Sequence, residues 1–325
     1  MKVILLVILS ALLPASIIAQ NNSDSARYRV IIDNDFGGDP DGLVQLGHQL
    51  LSPTTEIRAI IGSKNDAAFP KINDPVGKAV EDVNNLLAVM KLEGKYQVFK
   101  GSNENMTLDK PVDSDGARAI ITEAMKTNEK LPLLVLCGAS LSTVASAWLL
   151  EPAIADKLTV IWIGGEPYKG VGKISETNLM ISIPAAQVIF NKSMIALWQI
   201  PRDTYDNCVF SFAEMKTKMA CHGELGKFIY DKLNQRINLL NSYFRGETYT
   251  MGDSPLVLLS GLQGFYDKVP SSSECINRKA PLISDDRFYI ENPNGRPITV
   301  FTNIDTRLMF DDLEAKLILF KNSNE

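Results

Sequence analysis

Arg29-Val30-Ile31-Ile32-Asp33-Asn34-Asp35-Phe36-Gly37-Gly38-Asp39-Pro40-Asp41-Gly42 is the stretch that decides the fold. Val30 to Ile32 is β-branched and apolar and reads as a buried strand. Gly37, Gly38 and Pro40 interrupt that pattern and mark a loop. Leu43 to Leu51 then reads as a helix. The loop lies at the carboxyl end of the strand, where open α/β sheets bind their ligands. Four carboxylates, Asp33, Asp35, Asp39 and Asp41, fall there within nine residues. Crowded carboxylates repel, and without a cation some of them hold protons. An all-oxygen cluster suits Ca²⁺ or Mg²⁺. A solvated acidic turn is the plainer alternative.

Outward from this stretch, strands alternate with helices. Ile57–Ile61 reads as a strand, Val76–Met90 as a helix with its charges on one face, and Tyr96–Phe99 as a strand. Leu133–Cys137 is a strand ending at Gly138, followed by a helix around Thr143–Leu150. Leu158–Ile163 is a strand ending in Gly164-Gly165, Ile195–Ile200 is another, and Phe212–Phe244 reads as helices. This order predicts a three-layer α/β fold, a mainly parallel sheet with helices on both faces. The loops after its strands gather at one edge.

The amino terminus points to export. Lys2 precedes an apolar run from Val3 to Ile18 that is short for a membrane span, and Ala19 precedes a polar stretch. Residues 1–19 are expected to be a signal peptide, giving a periplasmic or secreted protein with no membrane attachment after cleavage. A retained anchor is the alternative. The remaining chain of about 300 residues has no linker, repeat or low-complexity tract, so residues 20–325 are expected to form one domain. Formal charge is -5 and becomes -6 without Lys2, which argues against nucleic acid as a partner.

Four cysteines are too few for a disulfide framework, although export permits a bridge among Cys208, Cys221 and Cys275. Cys137 reads as a buried thiol. With no CxxC and only His48 and His222, a zinc site or a Ser-His-Asp triad has little to be built from. His48 falls in the first helix and reads as structural.

Further along, three loops hold suggestive polar residues. Cys137-Gly138-Ala139-Ser140 follows one strand. Gly164-Gly165-Glu166-Pro167-Tyr168 follows the next and leads to Glu176-Thr177-Asn178. Gly252-Asp253-Ser254-Pro255 opens a helix at Leu256. Singly these are ordinary loop polars, and an Asp just before a helix is commonly an N-cap.

In this order the motifs resemble the nucleoside hydrolase family, the inosine-uridine-preferring enzymes and their relatives, from Val30 to nearly the carboxyl terminus. The family opens with D-x-D-x-G-x-D-D. Asp33, Asp35 and Gly37 match it, and Asp39-Pro40-Asp41 splits its adjacent Asp pair. Cys137-Gly138-Ala139-Ser140-Leu141-Ser142-Thr143 matches its T-G-G-L-T-N turn loosely, Glu176-Thr177-Asn178 its E-F-N, and Gly252-Asp253-Ser254-Pro255 its late H-D helix start.

The resemblance implies hydrolysis of the N-glycosidic bond of a small-molecule nucleoside, giving ribose and free base, as in purine and pyrimidine salvage. It implies a Ca²⁺ ion held by Asp35, Asp41, the backbone carbonyl of Cys137, and Asp253. It assigns Asp35 as the general base on the attacking water, and Asp39, Glu176 and Asn178 as holders of the ribose hydroxyls. Asp33 would brace the loop from within. Fixed carboxylates suit a ribosyl group that becomes cationic at the transition state. Relatives are often dimers or tetramers, so a homo-oligomer is expected by analogy.

One departure bears on mechanism. Many members carry His immediately before the late Asp, where it protonates the leaving base, and Gly252 stands there instead. Tyr168, Trp198, Tyr205, Tyr243, Phe244 and Tyr249 are the candidates for activating the base by stacking.

Two other readings compete. Asp33-Asn34-Asp35 also resembles the opening of haloacid-dehalogenase-type phosphatases, with Asp33 as a nucleophile, Mg²⁺ as cofactor and Asp285-Asp286 as the late acidic pair. An exported nucleoside- or sugar-binding protein lacking turnover is the third.

Overall fold

The computed structural model describes residues 26–65, 70–169, 175–262 and 272–324. Residues 1–19, read as a signal peptide, lie outside the described residues. No described helix is long and apolar enough to cross a membrane.

The strands are β1 (Tyr28–Asn34), β2 (Thr55–Gly62), β3 (Val98–Lys100), β4 (Leu133–Cys137), β5 (Leu158–Ile163), β6 (Ala196–Ile200), β7 (Val209–Ser211), β8 (Thr248–Thr250), β9 (Glu274–Lys279), β10 (Leu282–Ile283), β11 (Tyr289–Ile290) and β12 (Pro297–Asn303). The helices are α1 (Asp41–Leu50), α2 (Pro75–Val89), α3 (Asp115–Ala124), α4 (Ser142–Leu150), α5 (Thr177–Ile181), α6 (Ile183–Gln187), α7 (Arg202–Tyr205), α8 (Phe212–Lys218), α9 (Gly223–Leu239), α10 (Pro255–Gly261) and α11 (Thr306–Asn324).

Eight strands form one sheet in the order β3-β2-β1-β4-β5-β6-β12-β9. Only β9, antiparallel to β12, breaks its parallel pairing. β1, β4 and β5 occupy its centre, and their apolar runs are unbroken because both faces are covered. Val30, Ile32, Leu134, Leu136, Ile161 and Ile163 face a core built with α1, α2, α9, α10 and α11. Ile31, Leu133, Val135, Cys137, Val160 and Trp162 face the other core, built with α3, α4 and α6. The period-two alternation of each strand thus assigns its residues to the two outer layers. This is the expected three-layer architecture.

Strand order reverses between β1 and β4. From β1 the chain runs outward through β2 and β3, then returns to β4 on the other side. Asp33 pairs with Cys137 in register at this point. The loops after β1 and β4 therefore leave the sheet side by side and diverge, which opens a crevice at the carboxyl edge.

Local chemistry fixes several helix starts. Asp74 accepts from Gly77 N at 2.9 Å and Ser114 from Ala117 N at 3.2 Å, capping α2 and α3. Ser211 and Glu214 form a reciprocal capping box on α8. His48 is buried within α1 and pairs with Asp312 of α11 at 2.7 Å, a structural role as expected. Burial holds its imidazole below the usual pKa, opposed by the Asp312 hydrogen bond.

Some expectations needed adjustment. The third strand begins at Val98 rather than Tyr96. The interval from Phe212 to Phe244 divides at residues 219–222 into α8 and α9, and α9 ends at Leu239. All four cysteines are free, so no bridge joins Cys208, Cys221 and Cys275.

Candidate active site

Six segments meet over the β1–β4 crevice: the loops after β1, β2, β4 and β5, the short α7, and the β8–α10 connection. They enclose a cavity of about 210 Å³. Asp35, Asp39, Asp41, Glu176, Asn178 and Asp253 all line it. Cys137 does not. Its thiol points into the core toward Ala139 O and Ser140 O, and the next residue, Gly138, reaches the cavity wall.

Asp33 is fully buried and does not line the cavity. Its Oδ1 accepts from Ser63 Oγ at 2.5 Å, and Ser63 meets Thr143 Oγ1 at 3.1 Å. This ties β1 to the loop after β2 and to the first turn of α4. Burial pushes its pKa up to about 7 against those hydroxyl contacts. A carboxylate so enclosed has no path to a substrate phosphorus. The phosphatase reading fails on this point, and Asp285 and Asp286 lie away from the cavity.

Asp35, Asp41 and Asp253 are 4%, 7% and 5% exposed. Burial, and then the charges of Asp253 and Asp39, hold the Asp35 carboxyl well above the usual range, opposed by a hydrogen bond from Asn65. Asp41 is raised by burial and by Asp253, Asp39 and Asp35 in turn. Burial pushes Asp253 up to about 7, opposed by Asn34. Asp39 accepts a short hydrogen bond from Tyr249 OH.

Asp253 is not the cap of α10. Pro255 begins that helix, and the Asp253 side chain instead accepts from Asn34 Nδ2 at 3.0 Å. The β7–β8 pairing delivers the segment, with Met251 N donating to Cys208 O at 2.7 Å.

Glu176 does cap its helix, α5. Its Oε2 accepts from Gly165 N and Leu179 N, and its Oε1 from Asn178 N and Tyr205 OH. These four donors fill the acceptor positions of a carboxylate. Burial still raises its pKa. Asn178 Nδ2 donates to Gly138 O at 3.1 Å and Ile163 O at 2.9 Å, bridging the loops after β4 and β5.

Gly252 faces the ring of Tyr205. A Cβ at 252 would stand 3.3 Å from Tyr205 Cδ2 and 3.4 Å from Asp41 Oδ2. Of the six candidate stacking aromatics, only Tyr205 lines the cavity. Trp198 packs on Phe301, Tyr243 is 72% exposed, and Phe244 packs on Tyr249. Tyr168 belongs to a separate cavity of about 770 Å³ with Arg278 and Tyr289, which contains none of the expected site residues.

Sequence reasoning missed the parts Asn34 and Arg202 play at the cavity. Arg202 binds Asp206 at 3.2 Å and Ser175 O at 3.3 Å. Arg202 lies in an ordinary context and Asn34 inside the acidic stretch, and only the fold brings each to its partners.

The donor chemistry fits a hard divalent cation: the carboxyls of Asp35, Asp41 and Asp253 meet at one cavity, each raised by burial and by neighbouring charge. As placed, no three such side chains among the described residues form a closed ligand set.

Sequence comparison finds no matching family model and no matching curated protein. Comparison with solved structures finds a plant nucleoside hydrolase at TM-score 0.70, covering 90% of this chain and 99% of that one. The purine-preferring ribonucleoside hydrolase of Gardnerella vaginalis matches at 0.66 and the inosine-uridine-preferring nucleoside hydrolase of Bacillus anthracis at 0.64, with the same coverage. Identity is 16% in each case. The chain has the nucleoside hydrolase fold. The family resemblance seen in its motifs holds at the level of architecture along nine-tenths of its length.

Proposed function

We propose that this chain hydrolyses the N-glycosidic bond of ribonucleosides, with Ca²⁺ as cofactor. The observation that carries the reading is the convergence of Asp35, Asp39, Asp41, Asn178 and Asp253 on one cavity at the β1–β4 switch point. Asp35, Asp41, Asp253 and the Cys137 carbonyl are the assigned ligands of the ion. When bound, it supplies positive charge that orients the sugar diol and favours loss of a proton from the attacking water.

The chain's own groups do the rest. Asp35 takes the proton from that water as general base. Asp39 and the Oδ1 of Asn178 accept from ribose hydroxyls. Glu176 braces the loop, keeps negative charge beside the developing ribosyl cation, and reaches a hydroxyl only where Tyr205 yields its place on Oε1. Tyr205 presents its ring to the nucleobase beside Gly252. In this reading residues 1–19 are a signal peptide, and residues 20–325 act outside the cytoplasm as one domain and as a homo-oligomer.

A panel of ribonucleosides assayed for free reducing sugar, with Ca²⁺ present or chelated, tests the proposal. Sugar release that chelation abolishes is expected. No release from any nucleoside at saturating Ca²⁺ would rule it out.

A further inference from the structure

Asn34 occupies the position between the first two motif aspartates, and its side chain bonds to both the Asp35 backbone and Asp253. It is fully buried. Oδ1 accepts from Asp35 N at 2.7 Å, and Nδ2 donates to Asp253 Oδ2 at 3.0 Å across 219 residues. One rigid amide plane therefore sets the spacing between two carboxylate-bearing segments that come from opposite ends of the chain. Two glycines make room for it. A Cβ at Gly138 would stand 2.3 Å from Asn34 Nδ2, and one at Gly42 would stand 3.1 Å from it.

We propose that Asn34 is the positioning residue of the cation site. It pins one oxygen of Asp253 and leaves Oδ1 to turn toward the ion with Asp35 and Asp41. The inference rests on the calcium reading above and goes beyond it by naming what holds the ligands. The physical need is clear. Asp253 sits among like charges that would push it away, its helix gives it no capping bond, and a donor on its outer oxygen opposes that displacement. An amide serves both ends because it offers an acceptor and a donor in one plane. Ser, Thr, Leu or Ala cannot span both partners.

The test is calcium binding to metal-free protein by isothermal titration, with the metal-free melting temperature measured alongside. Asn34→Ala removes both bonds. Asn34→Leu removes them while keeping most of the volume, which covers the case in which Ala fails to fold through its cavity. Gln49→Leu is the control for general loosening. Gln49 is a buried amide cross-linked to Thr55 and Ser260 but away from the carboxylates.

Calcium affinity is expected to fall about 10- to 100-fold in both Asn34 variants, the usual cost of losing an outer partner of a ligand. It should stay within twofold in Gln49→Leu even where the melting temperature drops. Asn34 variants that bind within twofold of the parent chain overturn the inference, as does an equal loss in Gln49→Leu. A parent chain that binds no calcium rejects the metal reading itself, and this inference with it.

Discussion

The backbone N–H of Asp253 donates to Oδ2 of Asp41 at 3.1 Å, joining the start of α1 to the β8–α10 segment across 212 residues. The bond draws two carboxylates together in a site already crowded with Asp35 and Asp39. The molecule accepts that repulsion between β1 and β4, where the strand order reverses. A cation or protons must relieve it.

Stability should therefore depend on pH in an unusual direction. Asp33 and Asp253 are raised to about 7, and Asp35 and Asp41 are raised as well. Between about pH 4 and pH 7 the folded chain holds protons that the unfolded chain has released. Their contribution is full below the unfolded value and is lost as pH rises through the folded one. The melting temperature of metal-free protein should fall from pH 5.5 to pH 8. Added Ca²⁺ should raise it more at pH 8 than at pH 5.5. A calcium effect of equal size at both pH values would contradict the shared site.

Asp35 can be separated into its two assigned roles. Asp35→Ala should lower kcat by roughly 10²–10⁴, the scale for a positioned proton acceptor, and further where calcium affinity is lost as well. Asp35→Asn keeps an oxygen for the ion and cannot accept the proton. It should retain much of the calcium affinity by titration while kcat stays low. Near-parental kcat in the Asn variant would move the general base to another group.

The sheet was legible where both of its faces are covered. Leu133–Cys137 and Leu158–Ile163 stand at their expected boundaries because compact, mostly apolar runs that end at a glycine admit few alternatives. β9 was not read. It is an edge strand, largely exposed, and Glu274, Arg278 and Lys279 give it no alternating pattern. β12 follows a Pro- and Gly-rich stretch that reads as loop, while α11 mixes charges through weakly periodic sequence. At the site, the acidic loop is contiguous and so could be seen directly. Asn34 looked like a spacer, because its meaning lies in a contact to Asp253 that only the sheet order creates. Glu176 was read for substrate, yet its bonds to Leu179, Asn178 and Gly165 show how much of its work is local.

At the opposite end of β1, stability should be separable from activity. Arg29 and Glu123 form a buried pair at 2.6 Å, with side chains 6% and 7% exposed, and Arg29 Nε also donates to Leu131 O at 2.9 Å. Arg58 and Lys126 lie on the same carboxylate. Glu123→Ala would leave the buried Arg29 guanidinium beside two other cations with only the more distant Glu129 at 3.9 Å, and should cost up to about 3 kcal/mol in denaturant unfolding. Its kcat at a permissive temperature should match the parent, since no site residue touches Glu123. A change below about 1 kcal/mol would mean the pair is relieved by water or by rearrangement.

The leaving group should control the rate. Neither histidine reaches the cavity: His48 is buried against Asp312, and His222 lies at the start of α9. Tyr205 fills the flank of Gly252, but burial holds its hydroxyl well above the usual phenol pKa and its proton is given to Glu176, so it is a poor acid. On the proposed reading, the nucleobase leaves with help from stacking rather than from a proton donor at position 252. Ribosides with good leaving groups, p-nitrophenyl riboside among them, should turn over faster than inosine or uridine. Tyr205→Ala should slow natural nucleosides more than the nitrophenyl substrate, because only the former need the ring to stabilise the departing base. Tyr205→Phe keeps the ring, so it should preserve that ratio while raising KM through the loosened Glu176 loop. Inosine or uridine turning over as fast as the nitrophenyl substrate would mean that an acid elsewhere in the cavity serves the base, with Asp206 beside Arg202 the first residue to replace.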